Sequence, residues 1–189
     1  LSLKGVKIMA FWKDKVDRIL ESLPFRIYHE FMELEICGPV GYKTDNSFPT
    51  DGWSKYDGRM ISGDDDHYWF RTNFKTPEAK DGVRYMLLIT CGKENQGDAT
   101  NPQGILYLNG KMVQGIDTHH YYVYLEPNKE YELYHYVYLA LNQSSINQKM
   151  RVVEFNEATE KLYYDILVAH NSLKTMDENS REFNIIMPY

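Results

Sequence analysis

The spacing of short apolar runs between residues 69 and 156 is the feature that most constrains the fold. In GILYLNGKMVQGID, two such runs flank Asn109-Gly110. Asn-Gly supplies the two positive φ values of a type I′ turn, which suits the twist of antiparallel strands. The other runs are VRYMLLITCG, YYVYL, KEYELYHYVYLAL and QKMRVVEFNE. Strands at this regular spacing predict an antiparallel β-sandwich or jelly roll.

The segment DDDHYWFRTNF, residues 64–74, predicts a loop followed by the first strand of the sandwich. The strand ends at Thr76-Pro77, because proline cannot donate to a sheet ladder and favours extended geometry in its predecessor. Alternation buries one of two sets of side chains. Since Phe70, Thr72 and Phe74 form the more apolar set, we expect them to face the core. Residues 43–66 are rich in glycine, proline and small polar residues and predict long surface loops.

Amphipathic helices are predicted at both ends of the chain. Apolar residues recur at three- and four-residue steps from Ile8 to Leu23, and again from Ala158 to Leu173. The predicted domains are an N-terminal helix at 1–24, a β-sandwich at 25–156, and a C-terminal helix with a lead-in to a further domain at 157–189. Each helix must bury its apolar face, so the predicted interface residues are Trp12, Leu162 and Leu173.

Composition excludes several classes of partner. The formal charge of -6 and the pI near 5.5 leave no basic surface for nucleic acid or for an anionic membrane. No run approaches the roughly 18 apolar residues of a membrane span. Only Cys37 and Cys91 occur, without the spacing of a disulfide framework or zinc site, and no apolar signal core is present. These features favour a cytoplasmic protein.

Two polar segments have the residue types of a catalytic or metal site. Asp64 to Asp66 are able to bind calcium or act as paired carboxylates, although a solvated loop before a strand is the favoured interpretation. His119 and His120 suggest a metal, but neighbours on a strand point to opposite faces and do not share one ion. We therefore predict no catalytic residue and no metal site in this chain.

Tyrosines dominate the two runs around Pro127-Asn128, which we predict as a pair of strands. They are Tyr121, Tyr122, Tyr124, Tyr131, Tyr134, Tyr136 and Tyr138. Tyrosine can bury its ring and keep its hydroxyl in water. The runs are thus compatible with cross-strand packing, which we favour, or with a platform for carbohydrate.

The segments HYWFRTNFKTPE and GILYLNGKMVQGIDTHHYYVYL resemble the N-terminal, non-catalytic β-sandwich of glycoside hydrolase family 38 α-mannosidases of the cytosolic and bacterial type. A Trp-Phe-Arg strand leading to a proline, followed by an Asn-Gly hairpin, is typical of that domain. The matching residues are Trp69, Phe70, Arg71, Pro77, Asn109, Gly110, Gly115, Ile116, Asp117 and His119. A segment similar to EKLYYDILVAHNSL then leads into the family's catalytic barrel.

The resemblance implies a fold like that of galactose-binding domains and a parent enzyme that hydrolyses terminal α-mannosides with retention. It also implies that zinc and the nucleophile belong to a missing catalytic domain, so this chain itself holds no cofactor. The implied partners are the chain's own catalytic domain, further copies in a homo-oligomer, and a mannose-containing oligosaccharide. The predicted contacts with carbohydrate or with that domain are Trp53, Trp69, Arg71, Asp117 and His119.

Three functions remain open on the sequence. We favour a non-catalytic accessory domain of an α-mannosidase, which packs on the barrel, supports oligomerisation and lines the substrate approach. An independent carbohydrate-binding module of another glycosidase is the alternative. The third is a self-sufficient enzyme that uses the segment from Asp64 to His67.

Overall fold

The computed structural model describes residues 3–41, 47–91, 103–140 and 144–186, with side chains from Lys13 onward except that of Ser144. The chain folds as two compact units. One unit consists of Leu1–His29 and Phe155–Tyr189, and the other of Glu30–Glu154. The helices lie in the first unit, and most strand residues lie in the second.

The helices are α1 (Leu3–Ser22), α2 (Pro24–Ile27), α3 (Glu157–Thr175) and α4 (Arg181–Ile186). Asn156 caps α3, because its side-chain oxygen accepts a hydrogen bond from the backbone nitrogen of Thr159 at 2.9 Å. Nε2 of His170 on α3 lies 2.9 Å from Oδ1 of Asp17 on α1, which ties these two helices together. Among the described helices, none combines the length and the apolar character needed to cross a membrane.

The strands form two larger sheets and a small one. They are β1 (Tyr28–Glu33), β2 (Cys37–Gly41), β3 (Ile61–Gly63), β4 (Asp66–Lys75), β5 (Arg84–Thr90), β6 (Gln103–Leu108), β7 (Lys111–Ile116), β8 (Tyr122–Leu125), β9 (Glu130–Leu139), β10 (Ser144–Ile146) and β11 (Lys149–Phe155). The sheet orders are β1-β11-β5-β8, β2-β4-β9-β6-β7 and β10-β3. Pairing is antiparallel at β2–β4, β4–β9, β9–β6, β6–β7, β5–β8 and β10–β3.

The core of the second unit is built from the inner faces of the two larger sheets. Phe70 of β4, Leu133 of β9 and Leu87 of β5 are fully buried in one apolar cluster. Phe70, Thr72 and Phe74 are all buried, which confirms the predicted inward set of the first long strand. The predicted class, mainly β with antiparallel sheets and flanking helices, is confirmed. The connections that define a jelly roll stay a prediction.

The two predicted turns have different outcomes. Asn109 and Gly110 have φ values of 52° and 75° between the paired strands β6 and β7, which confirms the hairpin. At Pro127-Asn128, by contrast, the chain passes from β8, which pairs with β5, to β9 in the other sheet. The prediction that the tyrosine-rich runs pair with each other was therefore wrong. Both strands alternate in the same way, so the pattern does not specify their partners.

Residues 43–66 were predicted as loops, but part of this region forms β-strands. Residues 47–60 lie outside helices and strands apart from a single bridge between Lys55 and Cys37. Residues 61–63, however, form β3 and pair with β10, and β4 begins at Asp66. Residues 43–46 lie outside the described residues.

Candidate functional site

The face of the five-stranded sheet that points away from the core is lined by aromatic side chains. Successive side chains of a strand point to opposite faces, so the neighbours of core residues lie here. The cross-strand partners on this side are Trp69 with Tyr136, Arg71 with Tyr134, and Tyr107 with Tyr134. We call Trp69, Tyr107, Tyr134 and Tyr136 the outer aromatic face.

The segment 47–56, which we call the strap, covers the centre of this face. The Phe48 ring stacks on Tyr134 with centroids 4.4 Å apart and planes at 16°. It meets Tyr107 at 5.1 Å and Trp69 at 5.5 Å, both edge-on. Under this cover the exposed fraction of Trp69 is 3 % and that of Tyr134 is 8 %. The centre of the face is therefore packed, in agreement with the packing interpretation and not with an open platform.

Backbone hydrogen bonds fix the strap at its C-terminal end. Ser54 accepts from the backbone nitrogen of Gly38 at 2.9 Å, and the backbone nitrogen of Tyr56 donates to Ile36 at 2.8 Å. The Tyr56 ring is buried in the core cluster. Nearer its N-terminus, the strap meets the sheet through the rings of Phe48 and Trp53. The described contacts of the strap thus include backbone hydrogen bonds at its C-terminal end and ring contacts at Phe48 and Trp53.

Trp53 and Arg71 meet at the margin of the outer aromatic face. The Arg71 guanidinium carbon lies 4.7 Å from the centre of the Trp53 ring, a cation–π geometry. The Trp53 ring centroid is 6.0 Å from that of Tyr134, and its indole nitrogen donates to the Pro49 carbonyl at 3.0 Å. Three of the five predicted contact residues, Trp53, Trp69 and Arg71, are therefore brought together.

The Tyr134 hydroxyl is held in its neutral form. Burial raises the pKa of Tyr134, and the charge of Glu132 acts in the same direction, while Arg71 opposes both. The hydroxyl donates a hydrogen bond to a Glu132 carboxylate oxygen at 3.2 Å. This group is consequently a donor and acceptor at neutral pH, and not an anion.

A polar and aromatic row continues the face toward the start of β4. The His67 ring stacks on Tyr138 at 4.8 Å, and its Nδ1 is hydrogen-bonded to the Tyr136 hydroxyl. The Tyr138 hydroxyl donates to Asp65 at 2.9 Å, and this hydrogen bond raises the pKa of Tyr138. Hydroxyl, imidazole and carboxylate groups beside half-buried rings are typical of a surface that binds polar ligands.

Asp117 and His119 lie in the turn after β7, at the opposite edge of the sheet from β2. Asp117 accepts from the backbone nitrogens of His119 and His120, each at 2.7 Å, and from the His120 ring at 3.0 Å. Burial raises the pKa of Asp117, but these hydrogen bonds outweigh it and the net pKa is lowered. The carboxylate thus stabilises its own turn, away from the group formed by Trp53 and Arg71.

The acidic segment forms the turn between β3 and β4. Asp66 accepts from the backbone nitrogen of Asp64 at 3.1 Å, and Asp65 has a positive φ of 60° in addition to its bond from Tyr138. Over the part of the chain that the structure describes, no three His, Cys, Asp or Glu side chains are grouped to hold a metal ion. The described contacts of Asp65 and Asp66 shape and anchor this turn.

The predicted interface residues lie in the helical unit. Leu162 on α3 is half exposed, while Leu173 on the same helix is buried. The side chain of Trp12 lies outside the described residues. Tyr164 and Val168 are further exposed apolar residues of α3. Leu162 therefore remains available to a partner, and Leu173 does not.

A second polar group is enclosed between the sheets. His135 is fully buried, and its Nδ1 lies 3.1 Å from Oε1 of Gln148. The same oxygen accepts from the Cys91 thiol at 3.7 Å. Burial lowers the pKa of His135 to about 4 and raises that of Cys91 to about 12. Both are neutral at pH 7, so Cys91 is not a thiolate nucleophile.

The residues of these clusters that are absent from the sequence predictions include Phe48, Tyr107 and His135. For Tyr107, the signal was available, because alternation from the buried Leu106 and Leu108 places it on the outer face. Phe48 stands in an irregular segment without periodicity, so no local pattern connects it to the sheet. His135 follows the alternation of β9, but histidine is only intermediate in its tendency to be buried, so the residue type does not assign it to the core.

No protein-family model matches the chain, and no curated protein matches it. Its function has to be argued from the chemistry of the outer aromatic face and the buried polar group. His135 and Cys91 are neutral at pH 7, and His135 and Gln148 are buried, whereas Cys91 is only partly buried. The outer aromatic face offers rings, hydroxyls and a guanidinium, which are groups that bind ligands without reacting with them.

Proposed function

We propose that this chain is the non-catalytic accessory domain of an α-mannosidase of glycoside hydrolase family 38, acting in the cytoplasm on terminal α-mannosides of oligosaccharides. Supporting this is the position of the segments that resemble the family. Trp69, Phe70 and Arg71 lie on β4, and Asn109-Gly110 joins β6 to β7. Both segments belong to one sheet, in which β9 lies between β4 and β6.

A role without catalysis agrees with the hydrogen bonds that the carboxylates of Asp65 and Asp66 make. A retaining glycosidase needs two carboxyl groups about 5–5.5 Å apart, one acting as nucleophile and the other as acid and base. In the only run of three acids, Asp65 binds the Tyr138 hydroxyl and Asp66 caps its own turn. We accordingly place the nucleophile and the zinc ion in the catalytic domain of the parent enzyme. There the ion would orient the hydroxyls of the sugar.

The helical unit supplies the surface for that domain or for further copies of the enzyme. Leu162, Tyr164 and Val168 on α3 are exposed apolar side chains, and each is half exposed or more. Tyr164 and Val168 are four residues apart and share one side of α3, and contiguous exposed apolar side chains often mark a protein interface. In this proposal α3 packs on the catalytic domain or supports a homo-oligomer, while the sandwich faces the substrate approach.

The reading frame beyond residue 189 tests the accessory role directly. We expect a His-x-Asp motif within the next few dozen codons, and we expect the present chain to hydrolyse no aryl α-mannoside with or without added zinc. Expression of the longer frame should then give hydrolysis. Turnover by the present chain that disappears in Asp65→Asn or Asp66→Asn would contradict the proposal and favour a self-sufficient enzyme.

The alternative is an independent carbohydrate-binding module of another glycosidase. One observation favours it. Trp69 and Arg71 share a face of β4 because they are two residues apart, and Trp53, which is distant from them in sequence, meets the same face. A reading frame that encodes no mannosidase barrel, together with sugar binding by the isolated chain, would support the module and exclude the accessory role.

A further inference from the structure

Phe48 fills a cage of aromatic rings, and one of these rings, that of Trp69, carries a buried polar group without a partner. Its ring lies 4.4 Å from Tyr134, 5.1 Å from Tyr107 and 5.5 Å from Trp69, measured between centroids. Among the described residues, no acceptor bonds to the buried indole nitrogen of Trp69. Buried polar groups nearly always have a partner, so this donor is a place where a hydroxyl of a ligand or a water would be stabilised.

The chemistry of this cage matches a pyranose ring. A pyranose presents C–H groups on its faces, and these are attracted to the electron-rich faces of Trp and Tyr. Its hydroxyls at the ring edge are hydrogen-bond acceptors for an indole N–H and for a tyrosine hydroxyl. Small-molecule sites generally combine such aromatic walls with a few placed polar groups. The stacked Phe48 ring occupies the space that a sugar ring would take.

We propose that Tyr134 is the stacking surface of a carbohydrate site, with Trp69 and Tyr107 as its side walls, and that Phe48 occupies this site in the closed protein. A terminal pyranoside binds there when residues 47–53 of the strap move away from the sheet. The indole N–H of Trp69 then donates to a sugar hydroxyl, which gives this buried donor its partner.

The anchoring of the strap permits this movement. Residues 54–56 are held by backbone hydrogen bonds and by the buried Tyr56 ring. Upstream of them, Phe48 and Trp53 contact the sheet through their rings, and the indole nitrogen of Trp53 bonds within the strap to Pro49. Gly52, with φ of 80°, lies inside the moving part next to Trp53, and glycine has a backbone freedom there that other residues lack. Opening therefore breaks ring contacts and leaves the backbone bonds of residues 54–56 intact.

The identity of the sugar as a mannoside rests on the proposed function, whereas the stacking site does not. A site open only part of the time binds with an affinity reduced by its open fraction. Removing the Phe48 ring should therefore tighten binding, which is the opposite of what the loss of a ligand contact would do.

The test compares the parent chain with Phe48→Ala in titrations with α-mannobiose, cellobiose and phenol, followed by calorimetry. We expect Phe48→Ala to bind a disaccharide about tenfold or more tightly than the parent, because the site no longer needs to open. The Phe48→Ala, Trp69→Phe double variant keeps an aromatic ring at position 69 but lacks the indole N–H. It should bind the disaccharide about fivefold more weakly than Phe48→Ala does. The matched control is Phe25→Ala, which removes an exposed phenylalanine of the helical unit and should bind as the parent does.

Indole N–H resonances provide a second measurement that needs no folded Phe48→Ala variant. The chain has three tryptophans, so comparison with Trp69→Phe identifies the Trp69 signal. In the parent, saturating disaccharide should shift this signal.

The outcomes separate this inference from the proposed function. Binding of cellobiose but not α-mannobiose supports the stacking site and contradicts the mannosidase assignment. Binding of phenol alone by Phe48→Ala means that the variant has only an empty phenylalanine cavity, which overturns the inference. A Trp69 signal that no disaccharide moves in the parent, together with no gain in Phe48→Ala, also overturns it and leaves the accessory role standing.

Discussion

The two faces of the β4–β9 pair are built from alternate residues of the same strands and pack in different ways. On the inner face, Phe70 and Leu133 are fully buried in the apolar core between the sheets. On the outer face, Trp69 and Tyr134 are covered by one segment of irregular chain, and the Trp69 indole nitrogen has no acceptor among the described residues. The inner face is closed by a whole sheet, whereas the outer face is closed by one strap, and the proposed carbohydrate site requires this strap to open.

The largest effect is expected from truncation on the inner face. Phe70→Ala and Phe74→Ala should each lower the free energy of unfolding by about 3–5 kcal/mol, since both leave a cavity in the core. Urea denaturation of the isolated chain measures this. Phe25→Ala, whose side chain is 85 % exposed, should stay within about 0.5 kcal/mol of the parent. Equal melting temperatures for Phe74→Ala and the parent would refute the assignment of the inner face.

Substitution of Gly104 on β6 measures how tightly this strand packs against β9. A Cβ at this position would overlap the His135 ring and lie 2.7 Å from the Tyr136 carbonyl oxygen. Gly104→Ala should therefore cost about 3 kcal/mol, the upper end of the usual overpacking range, since the backbone oxygen has little room to move. At Gly115 on the paired strand β7, the nearest atom would lie 3.9 Å away. Gly115→Ala is the matched control, and equal unfolding free energies for both variants would contradict this account.

His135 should make the inner face sensitive to acid. Burial lowers its pKa to about 4 in the folded chain, against roughly 6.5 when unfolded. The unfolded chain therefore binds the extra proton first, and stability that is complete above pH 6.5 is lost as the pH falls toward 4. Between pH 7.5 and 5 we expect a loss of about 2 kcal/mol from this group.

His135→Gln removes the titrating group and is the comparison for that measurement. Urea denaturation of both proteins at the two pH values separates His135 from the acids and other histidines. A parent and variant with the same pH dependence would show that the imidazole does not stay neutral on folding.

The smallest effect is expected at the margin of the outer face. Trp53→Ala should cost about 1 kcal/mol, because its ring is partly exposed and its main partner is the Arg71 guanidinium. A double-mutant cycle with Arg71→Ala should give a coupling of about 0.5–1 kcal/mol. A coupling of zero would mean that the guanidinium and the ring are neighbours without an energetic interaction.

Local patterns predicted the elements better than their partners. The Asn109-Gly110 hairpin and the inward set of β4 were predicted. Turn chemistry and side-chain alternation each depend only on residues a few positions apart in the chain. The pairing of the tyrosine-rich runs was wrong, since β8 and β9 belong to different sheets. Alternation states which side chains share a face, but it carries no information about which strand lies alongside.

The candidate site shows the same division. Trp53, Trp69 and Arg71 were predicted as contact residues and meet on one face, whereas Asp117 and His119 lie at the opposite edge of the sheet. Asp117 and His119 directly follow the hairpin in sequence. Local sequence does not reveal the distance between β7 and the strap. Tyr107 was recoverable from alternation, but Phe48 was not.

Local residue patterns were enough to predict a mainly β chain with helices at both ends, a type I′ hairpin and an apolar inner face of β4. These follow from backbone preferences and side-chain alternation, which act over two to four residues. The cover of Phe48 over Trp69 and the buried contact of His135 with Gln148 were visible only in the folded chain. Both depend on contacts between residues distant in the chain or on which sheet closes over which, and such contacts are set by the packing of the whole sandwich.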